Sequence, residues 1–218
     1  ARNAGGVEQV MQAVLGGAAR ILVGTQMVTK GHHFPEVTLV VVLNADQGLF
    51  STDYRAAERL AQTIVQVAGR AGRANRAGEV LIQTEYPEHP LLRSLLDGGY
   101  EAFAASALAE RAAARWPPFG RVALVRASAP AAAHAMEFLH DARRVAEQDL
   151  RTPQVRLLGP VSAAMARRAE RHHAQLLIES ADRGALHRFL DTWIAALEQL
   201  PAARRVRWAL DVDPLDTQ

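Results

Sequence analysis

The chain has 218 residues, a formal net charge of +2 and 49% hydrophobic residues, which suits one or two globular domains rather than a disordered or strongly basic protein. It has no cysteine, which excludes disulfides and thiolate zinc sites. No apolar run approaches the ~20 residues of a membrane span, so we expect neither a membrane protein nor a secretory signal.

Strand-type and helix-type patterns alternate through the first hundred residues, which indicates an α/β domain. The run 38–44 reads TLVVVLN and is almost entirely apolar, which predicts a parallel strand buried on both faces. Asp53 is a good N-cap for the helix that follows it. The predicted elements are a helix at Gly5–Ala19, strands at Ile21–Val23, Thr38–Asn44 and Glu79–Thr84, and a helix at Tyr54–Gln66.

A helical stretch from Leu91 to Arg115, dented at Gly98 and Gly99, leads into a second domain. Trp116–Pro118 cannot continue a helix and marks a boundary. The order of elements that follows is β-α-β-β-α-β, the ferredoxin-like arrangement. The predicted strands are Val122–Ala127, Val155–Leu158, Gln175–Glu179 and Val206–Val212, and the predicted helices are Ala131–Gln148 and Ala181–Leu200. The predicted organisation is a lobe at 1–97, a helical linker at 98–118 and a C-terminal α+β domain at 119–218.

The run Gln66–Arg73 reads QVAGRAGR and places two arginines three residues apart, each after a glycine. On a helix, Arg70 and Arg73 point in the same direction and can grip one anionic group. An arginine finger needs this geometry at a transferred phosphoryl group. The alternative is a solvated basic helix end, with Arg76 and Gly78 as stop signals.

A second run lies upstream, at Ile21–Pro35, where a short apolar stretch is followed by polar residues. Thr25, Gln26 and Lys30 offer a hydroxyl, an amide and a cation to phosphates or sugars, at the edge where α/β sheets place ligand-contacting loops. The alternative is an ordinary strand-to-helix turn with exposed polar residues.

In order and spacing, these two runs resemble motifs V and VI of superfamily 2 helicases. The segments GTQMVTKGHHFP, DYRAAER and QVAGRAGR are similar to the PriA family of bacterial replication-restart helicases. Trp116–Phe119, Leu158–Pro160 and Asp211–Pro214 resemble the C-terminal part of that family. The resemblance covers nearly the whole chain. It implies the remainder of a RecA-like helicase lobe 2, followed by a ferredoxin-like domain.

The resemblance also implies roles for motif residues at ATP. Arg70 and Arg73 are expected to reach the γ-phosphate as catalytic residues, and Gln66 to polarise or sense it. Gly31 and His33 are expected in the same ATP-binding set. His33 stands where many related helicases have an aspartate, and its ring can still bond a ribose hydroxyl.

Thr25, Gln26 and Lys30 are expected, by the same resemblance, to contact the DNA backbone. The chain contains no GxxxxGK[ST] loop and no DExH box, so ATP and Mg²⁺ are expected to be bound mainly by another lobe. Zn²⁺ belongs to a cysteine-rich insert of the family that this chain does not contain. We therefore expect a C-terminal fragment that is inactive as an ATPase when isolated.

Basic residues concentrate between the second and third predicted strands of the C-terminal domain. Arg167, Arg168 and Arg171 precede His172 and His173. The pattern predicts a basic β-hairpin or loop that contacts the backbone of a nucleic acid. A solvated turn is the alternative.

Arg183 begins the helix predicted after the third of these strands. The resemblance implies that it binds the acidic tail of the single-stranded-DNA-binding protein, with Arg188 behind it. The alternative is a surface salt bridge from Arg183 to Asp182 or to a nearby acidic residue.

The adjacent pairs His32–His33 and His172–His173 lack the i, i+4 spacing of a helical zinc site. Neighbours on a strand point to opposite faces, so neither pair forms one ligand set. We expect no metal site within this chain.

The resemblance implies a parent protein that is an ATP-dependent 3′–5′ DNA helicase. It is expected to recognise stalled or branched replication forks and to initiate primosome assembly, in the cytoplasm of a bacterium and associated with the nucleoid. The implied partners are forked or single-stranded DNA, the single-stranded-DNA-binding protein and other primosome proteins. The alternative is a non-catalytic module that binds DNA and a partner.

Overall fold

The computed structural model describes residues 4–24, 37–69, 78–150, 152–168 and 170–217. Contacts divide the chain into two compact units: a first unit from residues 1–49 and 58–103, and a second unit from residues 50–57 and 104–218. The boundaries expected after residues 97 and 118 stay predictions, because a division by contacts does not establish what folds independently.

The first unit contains a two-stranded parallel sheet and helices. Strands β1 and β2 pair with Val40 opposite Val80. The elements in chain order are α1 (Ala4–Leu15), β1 (Leu39–Val42), α2 (Asp46–Leu49), α3 (Ala56–Ala68, whose first two residues belong to the second unit), β2 (Glu79–Ile82) and α4 (Pro90–Ala114).

Two predictions for this unit are wrong. Residues 21–23 form no strand, and the side chains of Ile21 and Val23 are each 83% exposed. Burial of β1 on both faces is also wrong, because Leu39 is 50% exposed and Val41 is 47% exposed. A strand is buried on both faces only when other elements cover each face. Within the described residues, β1 has β2 as its one neighbouring strand.

Helix α4 is interrupted at Gly99, as the Gly98–Gly99 dent predicts. The backbone there has φ 73° and ψ −169°, a conformation that glycine adopts without steric cost. Before the interruption α4 buries Leu91, Leu92 and Leu95, so it contributes to the core of the first unit. Its residues from 104 onward belong to the second unit.

The second unit has the predicted ferredoxin-like topology. Its four strands are antiparallel and stand in the order β4-β5-β3-β6, with one helix between β3 and β4 and another between β5 and β6. The elements are β3 (Arg121–Ala129), α5 (Ala132–Val145), a π-helical turn (Ala146–Leu150), β4 (Val155–Arg168), β5 (Arg171–Ser180), α6 (Arg183–Gln199), a 3₁₀ turn (Pro201–Arg205) and β6 (Arg207–Val212).

Helices α5 and α6 cover one face of this sheet, which we call the inner face. Phe138 of α5 and Trp193 of α6 have no exposed surface and lie in one core cluster with Leu176 and Ile178 of β5. The indole Nε1 of Trp193 donates a hydrogen bond to the carbonyl oxygen of Ala142 at 2.9 Å, so its one polar group is satisfied inside the core.

The segment after β6 lies against the opposite, outer face of the sheet. The guanidinium of Arg126, on β3, donates to the carboxylate of Asp211 at 3.1 Å and to that of Asp216 at 2.8 Å. The Nε2 of Gln175 donates to the carbonyl oxygen of Thr217 at 2.8 Å. Pro214 is fully buried. Residues 213–217 therefore form part of the second unit rather than a loose end.

Candidate functional site

Helix α3 carries Gln66, which lies four residues before Arg70, the first arginine of the QVAGRAGR run. Ala61, Ile64 and Val67 recur at helical spacing and are buried, which fixes one face of the helix against the first unit. Gln66 lies on the exposed side. The helix thus presents a polar end that leads, through Gly69, into the two arginines.

Most residues of this unit that are predicted to contact the nucleotide or the DNA backbone lie outside the described residues. This applies to Arg70 and Arg73, and their roles stay predictions. It applies equally to the upstream set of Thr25, Gln26, Lys30, Gly31 and His33.

The segment that begins α3 is anchored in the second unit. The ring of Tyr54 stacks on that of Trp116, with centroids 5.4 Å apart and planes 15° apart. Its hydroxyl donates to the carbonyl oxygen of Pro214 at 3.2 Å. The guanidinium of Arg111 donates to the carbonyl oxygen of Tyr54 at 3.1 Å, and its Cζ lies 5.3 Å from the ring centroid. We call these four residues the Tyr54 cluster.

Electrostatics in the Tyr54 cluster favour the neutral phenol. Burial raises the pKa of the Tyr54 hydroxyl above its ordinary value, and the negative charge of Asp53 adds to this. The charge and hydrogen bond of Arg55, with the charge of Arg111, oppose the rise in pKa. Tyr54 is therefore a neutral donor at physiological pH.

Sequence reasoning did not find the Tyr54 cluster as a unit. The Tyr54–Arg111 contact spans 57 positions and the Tyr54–Pro214 contact spans 160, so no local pattern joins them. The available signal was partial, because Trp116 and Tyr54 both lie in segments that carry the family resemblance.

The predicted basic hairpin is present as β4 and β5. Arg167 pairs in register with His172, and Arg168 with Arg171. The guanidinium of Arg171 donates to the carbonyl oxygen of Ser128 at 2.6 Å and to its hydroxyl at 3.2 Å. The contact of these arginines with DNA stays a prediction.

Sheet register extends the basic surface to β6, which the sequence patterns did not indicate. His173 and Arg207 both pair with Ser128, so the three residues form one row across β5, β3 and β6. Paired residues share a face, and this is the outer face because Ala127 and Ala129 belong to the inner core. Strands lie about 4.8 Å apart, so the backbones of His173 and Arg207 are about 10 Å apart. We call the two arginines Arg171 and Arg207, together with the imidazole of His173 that is in register with Arg207, the cationic row.

Arg183 is the first residue of α6 and is exposed. The side chain of Asp182 accepts a hydrogen bond from the backbone N–H of Ala185, which caps the helix. Among the described residues no ion pair joins Arg183 to Asp182. Binding of a partner by Arg183 stays a prediction.

Within the described residues, no group of three or more histidine, cysteine, aspartate or glutamate side chains is arranged to hold a metal ion. The pair His32–His33 lies outside those residues. The same described part of the chain has no helix long and apolar enough to cross a membrane.

Comparison with known proteins agrees with the two units. The family model "Helicase conserved C-terminal domain" matches residues 3–75, and "Primosomal protein N C-terminal domain" matches residues 112–215. A protein of Haemophilus influenzae named replication restart protein PriA is 44% identical over 214 residues, which is 97% of this chain. The chain belongs to the PriA family. The resemblance read from motifs V and VI is therefore confirmed, as is the α/β fold class.

Two further relatives of the PriA family also match most of this chain. Replication restart protein PriA of Rickettsia conorii is 36% identical over 194 residues, which is 89% of this chain. That of Synechocystis sp. is 40% identical over 163 residues, or 75% of the chain. The chain spans 29% of the length of the first two relatives and 20% of the third.

Proposed function

We propose that this chain is the C-terminal part of an ATP-dependent DNA helicase that moves 3′ to 5′ and restarts replication at stalled or branched forks. The observation that carries the proposal is α3. It buries one face, leaves Gln66 exposed near its end, and leads into the arginine pair within the region that matches a helicase C-terminal domain.

Chemistry at the nucleotide rests on charge and position. Arg70 and Arg73 stabilise the negative charge on the transferred γ-phosphoryl group, and Gln66 polarises or senses it. Gly31 and His33 complete the contacts to ATP from this lobe. Because the sequence has no phosphate loop, ATP and Mg²⁺ are held mainly by a lobe outside this chain. The isolated chain therefore hydrolyses no ATP. The zinc of the family belongs to a cysteine-rich insert.

Translocation requires that the nucleotide state reaches the DNA. Thr25, Gln26 and Lys30 contact the DNA backbone from the same lobe, so a change at the γ-phosphate alters their grip on the strand. The partners are forked or single-stranded DNA, the single-stranded-DNA-binding protein, whose acidic tail Arg183 binds, and other primosome proteins. The site of action is the bacterial cytoplasm, at the nucleoid.

The test is Arg73→Ala in the whole protein that contains this chain. Removing an arginine finger lowers ATP turnover by a factor on the order of 10³ to 10⁵, whereas nucleotide affinity falls much less. Arg93→Ala is the matched control, because Arg93 is an exposed arginine of α4 that pairs with Asp97 at 3.1 Å. Steady-state ATP hydrolysis with single-stranded DNA measures the effect. Retention of more than about a tenth of wild-type turnover contradicts the assignment.

A second function, in which the isolated chain is a non-catalytic DNA-binding module, is favoured by the cationic row. Arg171 and His173 of β5 and Arg207 of β6 stand on one face of the sheet. A phosphate backbone laid across these strands meets both arginines. Binding of forked DNA by the chain, in the absence of ATP hydrolysis, distinguishes this function from the first.

A further inference from the structure

A short segment after β6 crosses the outer face of the sheet in the second unit, close to the cationic row. We call these residues, 213–217, the covering segment. Pro214 is fully buried, and Thr217 is 5% exposed. The Nε2 of Gln175, on β5, donates a hydrogen bond to the carbonyl oxygen of Thr217 at 2.8 Å. The covering segment therefore passes from β6 over the outer face as far as β5.

The covering segment holds one arginine of the outer face, Arg126 of β3. The Nη2 of Arg126 donates to the carboxylate of Asp216 at 2.8 Å and to the carbonyl oxygen of the same residue at 2.7 Å. Its Nη1 donates to the carboxylate of Asp211 at 3.1 Å. Both Nη groups of the guanidinium are thus occupied, and two negative charges offset one positive charge.

Sheet register places Arg126 next to the cationic row. His173 and Arg207 both pair with Ser128, which lies two residues after Arg126 on β3. Residues two apart on a strand share a face and are about 7 Å apart. Arg126 is therefore the next outward position of β3, and its charge extends the cationic row along the sheet.

The contacts that hold Arg126 are of a kind that an anion can displace. The side chains of Asp211 and Asp216 are 49% and 54% exposed, and exposed ion pairs contribute little to stability because water and salt screen them. The Oε1 of Gln175 and the Oγ1 of Thr217 are buried and have no hydrogen-bond partner within the described residues. A buried polar atom without a partner costs free energy, and release of this end exposes both atoms to water.

We propose that Arg126 is a phosphate-binding position beside the cationic row, and that Asp216 occupies this position until the phosphate backbone of DNA displaces it. A carboxylate and a phosphate both present paired oxygens to a guanidinium, so they compete for the same Nη groups. Pro214 stays buried, so the release concerns residues 215–217. The inference rests on the proposed DNA-binding function of the cationic row, to which it adds one phosphate contact and an internal competitor.

The first measurement is the affinity of the 218-residue chain for forked DNA at about 0.1 M salt. Asp216→Asn keeps the shape of the side chain and removes its charge. It is expected to increase the affinity about two- to fivefold, which corresponds to the loss of one exposed ion pair that competes with phosphate. Asp191→Asn is the matched control. Asp191 is an exposed residue of α6, which covers the inner face, so salt screening keeps the affinity within about 1.5-fold of wild type.

The second measurement is the salt dependence of binding. Arg126→Gln removes one phosphate contact and is expected to reduce the slope of log affinity against log salt by about 0.9. Arg144→Gln is the control and leaves the slope unchanged, because Arg144 lies on α5 and pairs with Asp141 at 2.7 Å. In the Arg126→Gln background, Asp216→Asn is expected to bring no gain in affinity, because the site of competition is gone.

The double variant separates competition from a general effect of charge. If the gain from Asp216→Asn persists in the Arg126→Gln background, the removed charge alone explains it and the inference is overturned. An unchanged salt slope in Arg126→Gln also overturns it. Tryptophan emission during urea unfolding checks that each variant is folded, because all three tryptophans lie in the second unit.

Failure of the inference is distinguishable from failure of the DNA-binding function. If wild type binds forked DNA and Arg207→Ala reduces its salt slope, while Asp216→Asn changes nothing, the inference fails and the DNA-binding proposal stands. If neither wild type nor Asp216→Asn binds forked DNA, the DNA-binding proposal fails and the inference fails with it. Binding by Asp216→Asn without binding by wild type supports the inference, because the acidic side chain then masks the site completely.

Discussion

In the second unit, β3 has a strand on each side, and its first half is buried on both faces: Val122 and Leu124 of the outer face and Ala123 and Val125 of the inner face are at most 1% exposed. In the first unit, β1 is equally apolar in sequence but leaves alternate side chains exposed. The sequences LVVV and VALV predict strands equally well. What differs is the cover that comes from elsewhere in the chain. For β3, helices α5 and α6 supply it on the inner face, and residues from 213 onward lie on the outer one.

The residues with predicted functions are also divided between the two units. The first unit holds the end of α3 and its polar Gln66, whereas the second holds the basic hairpin and the cationic row. The Tyr54 cluster lies within the second unit. If the comparison is right, a substitution in one unit has effects that stay in that unit.

The largest expected effect comes from Trp193→Ala in the core of the second unit. Trp193 has no exposed surface, and its replacement costs about 3–5 kcal/mol for the lost contacts and cavity. The loss of its hydrogen bond adds little to this, because the carbonyl oxygen of Ala142 keeps the N–H of Ala146 as a donor. Tryptophan emission during urea unfolding measures the effect, because all three tryptophans lie in the second unit.

The matched variant is Ile64→Ala, in a residue of α3 that is 5% exposed in the first unit. It is expected to destabilise α3, which amide hydrogen exchange measures, and to leave the midpoint of unfolding by tryptophan emission unchanged. A common shift of both probes by either variant would mean that the chain unfolds as one cooperative body, and the comparison of two units would fail.

The fold of the second unit was predictable from sequence because each of its elements carries a local pattern. The exception is the length of β4, which the sequence predicts as Val155–Leu158 and which runs to Arg168. Gly159 and Pro160 interrupt the apolar alternation, and the residues beyond them follow no clear period. Pairing with β5, rather than local preference, keeps this part of β4 extended.

The first unit was less predictable, for a related reason. Ile21–Val23 is apolar and short, and only a neighbouring strand would make it a strand; the described residues give it none. The candidate functional residues differ in the same way, in how much of them a local sequence pattern can indicate. The local spacing predicts a role for motif residues such as Arg73, and that role stays a prediction. The Tyr54 cluster could not be predicted, because its parts come together only through the fold.

A smaller effect is expected from Arg207→Ala in the cationic row. Each arginine–phosphate contact contributes about −0.9 to the slope of log affinity against log salt. Its loss therefore reduces the fall in affinity between 50 and 200 mM salt by about three- to fourfold. Titration of forked DNA with the 218-residue chain measures this, with Arg93→Ala of the first unit as the control.

Arg207 is preferred to Arg171 for this test. The guanidinium of Arg171 bonds the carbonyl oxygen and hydroxyl of Ser128, so its removal also weakens the sheet. An unchanged salt slope in Arg207→Ala would place the DNA contact elsewhere and would leave the β4–β5 hairpin as the part to examine.

The smallest expected effect is a dependence of the second unit's stability on alkaline pH. Burial raises the pKa of Tyr54 in the folded unit above its ordinary value of 10.0. The folded state therefore holds the phenolic proton at pH values where the unfolded chain has lost it. Stability from this group is complete below about pH 10 and decreases as the pH rises through the higher folded pKa.

Tyr54→Phe has no phenol to ionise, so its urea midpoint should decrease less between pH 9 and the alkaline range above about pH 10. At neutral pH the same variant is expected to be the less stable one, because it lacks the hydrogen bond to Pro214. The curves of urea midpoint against pH for Tyr54→Phe and wild type therefore converge as the pH rises. Tyr86→Phe is the control, since Tyr86 lies in the first unit and tryptophan emission reports the second. If Tyr54→Phe and wild type lose stability in parallel above pH 10, Tyr54 is not held in the buried, hydrogen-bonded state that the structure of the second unit shows.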